Sequence, residues 1–296
     1  MLANQEGDWF EPVEGKKPWG VQEVDPSRRF AVLEVSGDDE DRHVAVWNLT
    51  SGELVWAPER AHAIRWNRDA SEVYVVGARD VYDHGYLGRY SWPGLLPRGG
   101  GSIPIQGYMF VCAGVSPNGA LIGVADIDQG ETYVALYRNP DTEGPQQPVD
   151  VWEHHGSNLI NGLEFAPDGT ALVWTLGGHH YWWTEKDEFG PSEGGEFEVG
   201  HVCVWRTADT NPRVVKMIRI VARLAPGWSA DDPDDMLCSQ MFQGPLFLDN
   251  QRFRVLPPTG EWKTYTINGD EVADPDAGTK VDIKKLTTVS LRPTKH

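Results

Sequence analysis

Metal ligation is the first chemistry to test, and two histidine pairs raise it: His154-His155 and His179-His180, with His201 further along. Adjacent residues on a strand point to opposite faces, so neither pair offers two ligands to one ion without a bulge. No carboxylate or cysteine stands at a recognisable ligand spacing from them. They read as loop histidines. Asp126, Asp128 and Glu131, with Gly130 among them, have the residue types of an oxygen-ligand calcium loop, but the run is too short for an EF-hand. Asp231, Asp232, Asp234 and Asp235 read as a solvated acidic loop. No metal site and no cofactor is expected. Nucleophilic chemistry has no better footing: the one G-x-S-x-G run, at 190–194, has Pro191 beside its serine and lies in an acidic connection with no strand-to-helix pattern around it, and there is no H-E-x-x-H pair and no phosphate-cradling loop. No catalytic residue is assigned.

Binding chemistry has more to work with. Tyr181, Trp182 and Trp183 are consecutive, with Trp174 and Trp228 not far away, in a chain with 13 Trp. Large flat side chains suit packing between stacked sheets, and equally an aromatic hot spot for a protein or a carbohydrate. With the nearby acidic run they define the candidate binding set: Tyr181, Trp182, Trp183, Trp228, Asp231, Asp232, Asp234 and Asp235.

The elements that must carry these residues repeat. One pattern is an alternating apolar run ending in an aromatic and followed by a polar turn. It occurs at 43–56, 86–98, 133–145, 201–215 and 262–272, with Trp47, Tyr90, Tyr137, Trp205 and Tyr265 as the aromatic anchors. A second pattern precedes each copy: an apolar residue, a tight turn and a β-rich run, as in VSPNGALIGVAD (115–126) and FAPDGTALVWTL (165–176). Pro-Asn-Gly and Pro-Asp-Gly are hairpin turns. Both patterns together resemble the WD-repeat family, in which an "sPDG" turn links strands A and B and a "vxvWd" run forms strand C. The chain departs from that family in having no Gly-His dipeptide ahead of its repeats, the pair occurring only at 178–179 and 200–201. The Asp after the strand-C aromatic is also replaced, by Asn48, Ser91, Arg138, Arg206 and Thr266.

The resemblance implies an all-β fold: a single β-propeller over residues 1–296, built of four-stranded antiparallel blades. Repeats fall near 20–62, 63–106, 107–156, 157–221 and 240–296. Five blades are favoured, because no spare anchors appear between the five. A composite sixth could be made from residues 8–13 and 279–293, and seven is disfavoured. Longer connections interrupt the repeat near 177–200 and 222–240. In an antiparallel blade the B–C and D–A connections emerge on the same side, so 184–198 and 226–236 should project from one face. Long loops on a rigid scaffold commonly carry binding.

Charge follows the same geometry. The chain has 44 acidic and 26 basic residues, a formal net charge of −18. Asp38, Asp39, Glu40 and Asp41 sit in one B–C connection. Glu185, Asp187, Glu188, Glu193, Glu196 and Glu198 sit in the longest, and the Asp231–Asp235 run lies in the other long connection. Arg28, Arg29, Arg68, Arg138, Arg206 and Arg252 belong to turns of the opposite side. An acidic face would repel phosphate backbones, so nucleic acid is not expected there. It would attract a basic protein. No apolar stretch approaches a membrane span, the first residues lack the pattern of a secretory signal, and Cys112, Cys203 and Cys238 are too scattered for a disulfide framework. The expected location is cytoplasmic. The expected function is therefore a non-catalytic scaffold for protein binding, an inhibitor or immunity-type neutraliser being one form of it. The alternative is a small-molecule or carbohydrate-binding propeller, or a hydrolytic one, with carboxylates around a central channel.

Overall fold

Alternating apolar and polar residues between short turns should give strands with one face buried, and every regular element found is a strand. The computed structural model describes residues 2–3, 9–10, 18–36, 42–58, 60–78, 85–104, 112–128, 131–155, 160–177, 196–207, 215–223, 243–257 and 261–274. Among these residues there is no helix. A two-stranded ribbon, β1 (Leu2–Ala3) with β2 (Trp9–Phe10), comes first.

Five four-stranded sheets follow, each a meander whose strands pair in chain order. The first holds β3 (Pro18–Val24), β4 (Phe30–Ser36), β5 (Arg42–Asn48) and β6 (Leu54–Trp56). The second holds β7 (Ala61–Trp66), β8 (Glu72–Ala78), β9 (Gly85–Ser91) and β10 (Pro97–Ile103). The third holds β11 (Cys112–Val115), β12 (Leu121–Asp128), β13 (Glu131–Arg138) and β14 (Asp150–His155). The fourth is β15 (Ile160–Phe165), β16 (Ala171–Gly177), β17 (Glu196–Arg206) and β18 (Val215–Arg223). The fifth is β19 (Gln243–Phe247), β20 (Arg252–Leu256), β21 (Lys263–Thr266) and β22 (Glu271–Val272). These are the five blades of a β-propeller, with strands A to D in order. Residues 196–198, read from sequence as part of the blade-four insertion, already belong to β17.

The A–B turns explain why the repeat looks as it does. In four blades the first turn residue donates its N–H to the carbonyl five residues on: Asp25 to Phe30 (3.0 Å), Asn67 to Glu72 (3.2 Å), Ser116 to Leu121 (2.9 Å) and Ala166 to Ala171 (2.8 Å). The residue three places on donates back to the first, from Arg28, Ala70, Gly119 and Gly169. That returning residue is in the left-handed region, with φ of 57°, 54°, 68° and 76°. Glycine adopts it without steric cost, hence the Gly of Pro-Asn-Gly and Pro-Asp-Gly. The residue just before it holds the turn with its side chain where it is Asn or Asp. Oδ1 of Asn118 and of Asp168 accepts the N–H two residues on, at 3.0 Å in each case. Blade five closes a shorter turn, with Leu248 donating to Arg252 at 2.9 Å.

One hydrogen bond recurs in all five blades. The residue two past each strand-C aromatic donates its N–H to the last residue of the A–B turn: Leu49 to Arg29, Trp92 to Ser71, Asn139 to Ala120, Thr207 to Thr170 and Ile267 to Gln251, at 2.8 to 3.0 Å. The five aromatic anchors are thus in one register. The replaced Asp is made good in three blades. Asn48 Oδ1 accepts the Thr50 N–H at 2.8 Å, Ser91 Oγ that of Leu96 at 3.1 Å, and Thr266 Oγ1 that of Asp270 at 3.2 Å.

The chain divides into two compact units. The first comprises 1–122, 137–149 and 284–296, and the second 123–136 and 150–283, so the third sheet is shared between them. Within the first, Val32, Val44 and Val46 pack with Ile64, Trp66, Val73, Val75 and Trp92 into one buried cluster. Trp92 sits edge-on to Phe30 (5.0 Å) and Trp66 (5.5 Å). Within the second, Val173, Val202, Val204 and Ile220 pack with Phe253, Val255 and Tyr265. Flat aromatic and β-branched side chains fill the space between facing sheets.

Candidate functional site

The second blade supplies the groove. Residues 86, 88 and 90 of β9 share one face, because side chains alternate along a strand. Tyr86 pairs across the sheet with Gly77 of β8 and Ser102 of β10, and Gly88 with Val75 and Gly100. A Cβ added at Gly77 would lie 2.6 Å from Tyr86 Cε1, and one at Gly88 would lie 2.8 Å from Tyr90 Cε2. The outer atoms of the two tyrosine rings therefore reach over the places where side chains are missing. Trp56, at the end of β6, meets Tyr90 edge-on, with centroids 5.0 Å apart and planes at 69°.

Glycines make the other wall. Strand β10 reads PRGGGSI, and Gly99 and Gly100 have φ of 159° and 141°. The segment 142–146, between β13 and β14, runs alongside and hydrogen-bonds to this edge in parallel register. Gly100 N–H donates to Thr142 (3.1 Å), Gly144 N–H to Gly100 (3.0 Å) and Gln146 N–H to Ser102 (2.8 Å). A Cβ at Gly101 would fall 1.8 Å from the Gly144 carbonyl oxygen, so only glycine allows this approach. Trp56, Arg60, Tyr86, Tyr90, Gly100 and Glu143 line the resulting groove, whose volume is about 760 Å³. Arg60 enters it from a left-handed backbone (φ 50°) outside any hairpin turn, and its carbonyl would clash with a Cβ on Gly77 at 2.4 Å. Burial raises the Tyr90 phenol above its ordinary range, so it remains an O–H donor.

A second polar cluster lies in the same unit. Glu72 Oε1 accepts two hydrogen bonds from Arg89, one of them from Nε at 2.9 Å, while Oε2 accepts the Tyr74 O–H at 2.8 Å. Burial pushes the Glu72 carboxyl up, but Arg89 and Tyr74 outweigh it and hold it below the ordinary carboxylate range. Burial, reinforced by Glu72, drives the Tyr74 phenol well above its ordinary range. Tyr74 also approaches the Gly119 carbonyl (3.5 Å) in the A–B turn of blade three. This is a structural tie.

The first strands of the blades also carry charged side chains. In the first unit they present Glu23 and Arg65. The Arg65 Nε lies 4.0 Å from Glu23 Oε2 and donates to the Ala113 carbonyl at 2.8 Å, which fastens β7 to β11. In the second unit Glu164 is exposed on β15. Among the described residues no group of three His, Cys, Asp or Glu side chains is placed to hold a metal, and no helix is long and apolar enough to cross a membrane.

The binding residues read from sequence, Tyr181, Trp182, Trp183, Trp228, Asp231, Asp232, Asp234 and Asp235, lie outside the described residues. So do most of the acidic B–C connections. Trp174, their described neighbour, is fully buried, edge-on to Trp152 at 5.1 Å and to Trp205 at 6.4 Å. It is a packing residue. His154 stacks on Trp152, with planes 2° apart. Asp126 of the calcium-like run is buried in β12. Sequence reasoning misses the groove. Its one signal is three consecutive glycines within a strand, which mark a bulge or a close approach.

No protein-family model and no curated protein matches the chain. Solved structures do resemble it. Hydrazine synthase of Kuenenia stuttgartiensis superposes with a TM-score of 0.54 at 13% identity, over 83% of this chain and 63% of that one. KlAtg21, in complex with the coiled coil of AgAtg16, gives 0.53 at 12% identity, over 87% and 70%. The Dos1 propeller gives 0.50 at 11%, over 88% and 57%. The chain thus spans less than two thirds of the hydrazine synthase and Dos1 chains. Likeness at such identities is a likeness of fold.

Proposed function

We propose that this propeller is a non-catalytic interaction module that presents its acidic insertions to a basic protein, as an inhibitor or immunity-type neutraliser would. The observation that carries the reading is the charge: −18 overall, with acidic runs concentrated in the two longest connections of the repeat. Sheets of short strands are a scaffold suited to the display of long connections, and a surface of one sign steers an oppositely charged protein into encounter. The KlAtg21 propeller was solved with a coiled-coil partner, so a propeller of this likeness accommodates a protein ligand. Tyr181, Trp182, Trp183 and Trp228, close in sequence to the acidic runs, would supply the apolar anchor that charge alone does not. The working location is the cytoplasm.

The test is affinity capture with the intact chain, in parallel with a variant carrying Asp231, Asp232, Asp234 and Asp235 all changed to Lys. A basic protein retained in stoichiometric amount by the wild type, released by salt and absent from the variant is the expected result. Equal capture by both, or a partner that is not basic, overturns the reading.

A further inference from the structure

The groove on blade two is independent of the acidic insertions, and its chemistry is different. Three aromatic side chains line it, two of them with ring atoms over Gly77 and Gly88, where a side chain would otherwise stand. The polar side chains that line it include one cation and one carboxylate, Arg60 and Glu143, so neither a phosphate nor an ammonium group is favoured by net charge. Residues 142–146 already occupy the hydrogen-bonding edge of β10. An extended peptide therefore cannot add itself there as a further strand. What remains is a cavity within the usual range for small ligands, with flat apolar faces and paired donors and acceptors at its rim.

A neutral polyhydroxylated ring matches each of these features. Its C–H faces lie on aromatic rings, and its hydroxyls both donate and accept, toward a carboxylate on one side and a guanidinium on the other. We propose that this groove binds a short neutral saccharide, stacked on Trp56, Tyr86 and Tyr90 and hydrogen-bonded by Arg60 and Glu143.

The intact chain would be titrated calorimetrically with maltotriose, cellotriose and the trisaccharide of N-acetylglucosamine, and screened on an array of neutral glycans. Decaproline serves as the comparison, because aromatic grooves also take polyproline helices. At least one saccharide should bind, and Trp56→Ala should weaken it about tenfold, the worth of one aromatic contact. Glu143→Gln, on an exposed segment, should weaken it severalfold while leaving the thermal midpoint unchanged. That second variant decides the question if Trp56→Ala fails to fold. Absence of any saccharide binding overturns the proposal. So does binding indifferent to Trp56 or, where that variant does not fold, to Glu143. Decaproline bound in the same Trp56-dependent way would reassign the groove to peptides.

Discussion

At the scale of single residues, this protein shows where a repeat tolerates departure from its pattern and where the departure has a cost. Arg28 occupies the left-handed turn position that Gly119 and Gly169 hold in later blades, and it is exposed. A side chain there costs about 1–2 kcal/mol, and glycine would return part of it, the rest being offset by its greater freedom in the unfolded chain. Arg28→Gly should therefore stabilise by about 0.5–1 kcal/mol, and Gly169→Ala should destabilise by about 1 kcal/mol. Both are read as shifts in the denaturation midpoint at constant m-value. The Glu72–Arg89 pair gives a second expectation, with a sign in pH. Both side chains are about four-fifths buried, with exposures of 19% and 20%, and the Glu72 carboxyl titrates below its ordinary value, with Arg89 the chief cause of the lowering. A carboxylate so depressed adds stability above its unfolded-state pKa and loses it as pH falls through the folded one. Arg89→Met should cost about 1–3 kcal/mol at neutral pH. That deficit should shrink as the pH drops below the ordinary carboxylate range. A deficit constant through the acid limb would show that packing, not charge, is what Arg89 supplies.

At the scale of elements, the strap formed by 142–146 closes the outer edge of blade two, which would otherwise expose a row of unpaired backbone groups. Gly101→Ala forces a Cβ to within 1.8 Å of the Gly144 carbonyl, so the strap must move. It should destabilise by about 1–3 kcal/mol, and the Gly144 and Gln146 amides should lose their protection from hydrogen exchange. Gly94→Ala, whose Cβ would meet nothing nearer than Ser91 Oγ at 3.5 Å, should be nearly silent. If both substitutions behave alike, the strap does not hold the edge. Elements were also what the sequence made most legible. The five anchors, Trp47 to Tyr265, lie in one register because each fixes a strand pairing whose period of two cannot slip without turning the buried face outward. The turn chemistry was legible for the same reason: Asn118 and Asp168 bond to backbone two residues away, so the signal is local. The groove was not. Gly77, Gly88 and Gly100 meet only across paired strands, and the parallel pairing of β10 with 142–146 joins segments about forty residues apart, a juxtaposition no local pattern encodes.

At the scale of the molecule, charge decides which partners approach and how fast, while packing decides how long they stay. The two are separable by kinetics, because long-range attraction acts on association and a desolvated contact acts on dissociation. With the partner captured by the intact chain in hand, reversal of Asp231, Asp232, Asp234 and Asp235 to Lys should mainly slow association and flatten its dependence on salt. Attraction between exposed charges fades beyond about 8 Å at physiological ionic strength, so the wild-type rate should fall steeply as salt rises and the variant's should not. Trp182→Ala or Trp183→Ala should leave association almost unchanged and speed dissociation, at a cost of about 2 kcal/mol if that ring is the anchor. Rates at two salt concentrations for each variant make the comparison. If charge reversal leaves both rates untouched, the acidic runs serve only to keep a tryptophan-rich chain in solution, and the partner's contact lies elsewhere, with the arginines of the A–B turns the next surface to reverse.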